Sequence, residues 1–187
     1  MDIKQELDYY TAEDFYALTG DRGGVELING QLYYLWDMAA PSRGHQKILM
    51  ALSYRIQDYI YKTGGSCEIY PAPFDVQLSE KSDDIVEPDI TVICDPEKLT
   101  DRGCTGAPDW IIEIVSPSNP SHDYLTKLGL YRKAGVREYW IVDPMGKRIS
   151  VYNGDYTIPG EYSFEDKVKA GIYEDLEIDF KEIATRL

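Results

Sequence analysis

Asp109-Trp110-Ile111-Ile112-Glu113-Ile114-Val115 is short, rich in β-branched residues and apolar almost throughout. A strand of this kind is covered on both faces, as in a sheet with helices packed on each side. Downstream, Asp123 to Ala134 has helical spacing and closes at Gly135, and Glu138 to Asp143 reads as a second buried strand stopped by Pro144. Strand, helix, strand in that order is a βαβ unit, whose two strands run parallel. Upstream, Asp89 to Cys94 is another β-branched strand, with weaker strand patterns at Cys67 to Tyr70 and Phe74 to Leu78.

Farther out the signals are turns and caps. Thr11-Ala12-Glu13-Asp14 forms a capping box for a short helix to Leu18. Asn29-Gly30 joins Val25 to Ile28 with Gln31 to Leu35 as a hairpin, and Asn153-Gly154 gives a second hairpin signal after Ile149 to Tyr152. Between the first hairpin and the strands, Pro41-Ser42 opens a helix. Its apolar positions Ile48, Leu49, Leu52, Ile56 and Ile60 recur at helical spacing until Gly64-Gly65. The acidic tail reads as peripheral. The expectation is one α/β domain over 1–187: a mixed β-sheet flanked by helices, with β-hairpins towards both termini.

Composition narrows the function. The 33 acidic and 19 basic residues give a net charge of −14, which excludes a general nucleic-acid coat protein but not local or metal-mediated contact. The distribution is uneven: residues 75–116 hold 11 acids and 3 bases, and residues 117–148 hold 3 acids and 6 bases. No apolar run is long enough to span a bilayer, and Met1 to Glu6 lacks signal-peptide character. Cys67, Cys94 and Cys104 form no C-x-x-C pair, so the expectation is free thiols, no zinc site and a cytoplasmic location. Sixteen tyrosines and three tryptophans suggest a homodimer. No G-x-S-x-G elbow and no glycine-rich phosphate loop is present.

The charged residues in the strong elements carry the chemistry. Glu113 is the only charge within Trp110 to Val115, and a carboxylate in a covered strand needs a cation, a metal or hydrogen-bond donors. Asp89 opens the neighbouring strong strand. Two carboxylates converging at one sheet edge call for a proton or a divalent cation, and hard oxygen ligands suit Mg²⁺ or Mn²⁺. Lys127 shares a helix face with Tyr124, Leu130 and Tyr131. Taken alone, Glu26 is a hairpin acid and His45 a residue near a helix start.

The series Glu26-Leu27-Ile28-Asn29-Gly30, Ser42-Arg43-Gly44-His45, Val86-Glu87-Pro88-Asp89-Ile90 and Gly106 to Ser118, then Lys127 and Gly135 to Pro144, resembles the Uma-two family of the PD-(D/E)XK, restriction-endonuclease-like superfamily. The resemblance implies that superfamily's core and a metal-dependent endonuclease hydrolysing phosphodiester bonds in DNA. It makes Asp89 and Glu113 ligands of Mg²⁺ or Mn²⁺, Lys127 the lysine that orients water and steadies phosphate charge, and Glu26 an additional catalytic acid. The parent motif places its lysine two residues after the second acid. Here Val115 stands there, so the role passes to Lys127. The alternative is a non-catalytic module that keeps the fold and binds nucleic acid or protein.

Overall fold

The computed structural model describes residues 8–20, 23–35, 40–116 and 122–185. Its centre is a six-stranded mixed sheet. The parallel pair β8 (Trp110–Ile114) and β9 (Glu138–Asp143) lies at the middle, joined through helix α3 (His122–Ala134). Antiparallel β6 (Ile90–Ile93) and β3 (Glu68–Pro71) extend it beyond β8, and β10 (Arg148–Asn153) and β11 (Gly160–Ser163) beyond β9. Every residue of β6 and β8 is buried, as their almost wholly apolar sequences require.

A second sheet of five short strands has β1 (Val25–Ile28), β2 (Gln31–Tyr34), β4 (Asp75–Gln77), β5 (Ile85–Val86) and β7 (Gly103–Thr105) in the order β2-β1-β5-β4-β7. Asn29 and Gly30, at φ 50° and 76°, turn β1 into β2 as a type I′ hairpin requires. Helix α1 (Ala12–Thr19) sits on this sheet through Phe15, which packs with Val25, Leu27 and Ile85, and its capping box is formed by Thr11 and Asp14.

Two cores flank the central sheet. On one face, helix α2 (Arg43–Thr63) supplies Ile48, Leu49, Leu52, Ile56 and Ile60 against Ile90, Val92, Trp110, Ile112 and Trp140. On the other, Leu130 and Tyr131 of α3 pack with Ile111 and Tyr139, together with Ile28, Val76 and Val86 of the smaller sheet. The chain passes from the smaller sheet to the central one through Glu87-Pro88-Asp89, the three residues between β5 and β6.

Two expectations are corrected. The C-terminal region is core rather than periphery. Phe164, Val168, Leu176, Ile178, Phe180 and Ile183 join the α2 face, organised by the hairpin β12 (Lys167–Lys169) and β13 (Glu177–Asp179) and the short helix α4 (Phe180–Ala184). Its acidic residues occupy the outer positions and mask the apolar alternation. The buried Glu138 carboxylate fastens this region, accepting N–H bonds from Ile172 at 2.8 Å and from the Trp140 indole at 2.6 Å.

Cys67 and Cys94 are also not free: they form a disulfide, leaving buried Cys104 as the free thiol. The β3–β6 register pairs Glu68 with Ile93, so the next step outward sets the two cysteines side by side. That adjacency depends on strand pairing across 27 residues and has no local spacing signature. With it, the cysteine argument for a cytoplasmic location lapses. Among the described residues no helix is long and apolar enough to cross a membrane.

Candidate active site

The β6–β8 register pairs Ile90 with Ile112. One step further sets Asp89 opposite Glu113, at the end of the sheet where the smaller sheet and the start of α2 meet it. The Asp89 carboxylate is fixed by the Ile114 amide, which donates to Oδ2 at 2.7 Å. His45 Nε2 lies 3.2 Å from each of its carboxylate oxygens.

Glu113 points to the α3 side, where burial is nearly complete. Its Oε1 accepts from Tyr131 Oη at 2.9 Å and from Lys127 Nζ at 3.1 Å. Tyr131 follows Lys127 by four residues, so both side chains leave one face of α3. Nζ also donates to Glu26 Oε1 at 2.8 Å. Glu26 comes from β1, whose four residues are all buried; Val25 and Leu27 face α1 while Glu26 faces inward. The same Glu26 oxygen accepts the Glu87 amide at 2.9 Å. Lys127 therefore bridges carboxylates from two different sheets.

The charge balance is tight. Burial pushes the Glu113 carboxyl up to about 7; Lys127 pulls it down, while Asp89 and Glu26 push it further up. Burial likewise carries Glu87 up to about 7, with Asp75 and Glu26 as like-charged neighbours. Glu87 accepts the Gly24 amide at 2.6 Å. At His45, burial lowers the pKa, but the hydrogen bond and charge of Asp89, with Glu113 behind it, carry it above the ordinary imidazole value.

All four residues singled out in the sequence, Glu26, Asp89, Glu113 and Lys127, come together here. The Lys127 ammonium is placed between Glu26 and Glu113. Two further members, His45 and Tyr131, receive no role from the sequence, although His45 lies in one of the motifs that carry the family resemblance. Ser42-Arg43-Gly44-His45 is a helix start, and Tyr131 reads as a core aromatic. The offset of four from Lys127 was the available clue for Tyr131.

The residues suit a divalent cation in donor chemistry: Asp89 and Glu113 offer hard oxygens from neighbouring strands, and burial with two acidic neighbours disfavours the negative charge on Glu113. Among the described residues no three His, Cys, Asp or Glu side chains already converge on a single point.

The family model Uma2, described as "Putative restriction endonuclease", matches residues 12–179. The chain belongs to this family. It is 28% identical over 138 residues to "Uncharacterized protein slr1290" of Synechocystis sp., covering 71% of this chain and 70% of that one. Its fold matches a crystal structure described as that of a putative nuclease belonging to DUF820 from Anabaena variabilis. That match has a TM-score of 0.77 and 19% identity, over 94% of this chain and 97% of the other. The α/β architecture expected from the sequence is thus the fold of a Uma2-family chain.

Proposed function

We propose that this chain is a metal-dependent endonuclease that hydrolyses phosphodiester bonds in DNA, with Asp89 and Glu113 holding Mg²⁺ or Mn²⁺. The observation that supports this most strongly is the joint position of Asp89, Glu113 and the Lys127 ammonium at one end of the central sheet. When bound, the cation supplies Lewis acidity and lowers the pKa of its water.

The protein's own groups divide the remaining work. Asp89 is held by the Ile114 amide with its carboxylate at the sheet end. Tyr131 donates to Glu113 and fixes its rotamer. Lys127 supplies the fixed positive charge that stabilises charge developing at phosphorus, and Glu26 anchors Lys127 from the smaller sheet.

The test is incubation of wild type, Asp89→Asn and Glu113→Gln with single- and double-stranded DNA in Mg²⁺ or Mn²⁺. Each substitution is expected to slow cleavage by about 10²-fold or more, the scale for removing one charge-stabilising group. A wild-type protein that binds DNA without cutting it under any of these conditions would establish the non-catalytic module instead.

A further inference from the structure

We infer that His45 is a positioning residue for the site, holding the Asp89 carboxylate in its metal-binding orientation through an Nε2–H bond. The inference rests on the metal site proposed above. His45 is the third residue of α2, and its amide is capped by Ser42 Oγ at 3.1 Å. A capping box places Glu or Gln at this position to reach back to the cap. Here the side chain reaches outward to Asp89, with Nε2 at 3.2 Å from both oxygens.

The ring is buried, and Nδ1 has no hydrogen-bond partner among the described residues. A buried N–H without an acceptor is costly. Once neutral, the ring with its proton on Nε2 avoids that cost and still donates to the carboxylate. With the Ile114 amide on Oδ2, Asp89 then takes hydrogen bonds from a strand and from a helix. Such outer partners orient a metal-binding carboxylate, and their loss typically weakens metal affinity or activity 10–100-fold.

The experiment titrates Mn²⁺ into wild type, His45→Gln and His45→Leu by calorimetry, with thermal unfolding of each protein measured alongside. His45→Leu is expected to bind Mn²⁺ about 10–100-fold more weakly. His45→Gln, whose amide N–H can still reach Asp89, is expected to remain near wild type. Unchanged Mn²⁺ affinity in His45→Leu overturns the inference while leaving the metal site standing. A wild type that binds no Mn²⁺ overturns the metal site itself, and the inference with it. Two measurements on wild type hold even if His45→Leu does not fold. Long-range ¹⁵N–¹H spectra at pH 8 should show the Nε2–H tautomer, and an Nδ1–H tautomer refutes the inference. Pulsed electron paramagnetic resonance of the Mn²⁺ complex should show no directly bound imidazole nitrogen; such a nitrogen would make His45 a ligand rather than a positioning residue.

Discussion

Replacing Lys127 with Met keeps much of the stem volume and removes only the charge. In wild type, Nζ lies 2.8 Å from Glu26 and 3.1 Å from Glu113, and all three side chains are almost fully buried. Removing one partner of a buried ion pair costs about 3–5 kcal/mol, a large share of the roughly 5–15 kcal/mol that holds a domain folded. The buried carboxylates left without their cation therefore make the variant less stable than wild type. Without the ammonium, Glu113 loses the largest influence that lowers its pKa and binds a proton more tightly than before. Wild-type Glu113 stands at about 7 and ionises above that, whereas the variant stays protonated longer. The stability gap should therefore hold steady below pH 7. Above it, the gap widens by about 1.4 kcal/mol per pH unit until the variant's own carboxyl ionises. Urea unfolding at pH 5.5, 7 and 9 measures this, followed by fluorescence of Trp110 and Trp140, which are both fully buried. A gap that stays constant from pH 5.5 to 9 would refute the charge argument and reduce the effect to packing.

Two further perturbations test other parts of the structure. Glu87 has a folded-state pKa of about 7, above that of the unfolded chain. It therefore costs stability as pH rises between the two, and the full cost is present above 7. Glu87→Gln keeps an acceptor for the Gly24 amide, so its Tm should exceed wild type by a few degrees at pH 8 and match it near pH 4; an equal gain at both pH values would exclude the carboxyl as the cause. Cys67→Ser opens a cross-link that closes a 27-residue separation. The loop-entropy model puts the loss at about 3–4 kcal/mol, and an unchanged urea midpoint, with dithiothreitol leaving wild type equally unmoved, would show that the bond does not stabilise the fold.

The sequence revealed what depends on local pattern. The βαβ unit, the Asn29-Gly30 hairpin, the capped α1 and the apolar stripe of α2 all reappear, because alternation, periodicity and turn chemistry operate within a few residues. Pairings between distant segments were hidden. The disulfide depends on the β3–β6 register, and the C-terminal core contribution depends on which face β12 and β13 turn inward. In the site, Asp89 and Glu113 stood out as acids in covered strands. Glu26 drew notice through family resemblance, because an acid in a four-residue hairpin strand looks solvated until a second layer covers it. The role of His45 stayed hidden because its partner Asp89 lies 44 residues away.

Glu87-Pro88-Asp89 is one of the short straps by which the chain leaves one sheet and enters the next. Its two acids serve opposite sides, since the Glu87 amide bonds Glu26 while the Asp89 carboxylate faces Glu113's strand. Proline between them fixes one backbone torsion of the strap. Any slip of one sheet against the other would change the spacing between Glu26 and Glu113, which the Lys127 ammonium spans from both sides. The constellation is thus a gauge of how the two layers are mated, and neither layer expressed without the other would contain it.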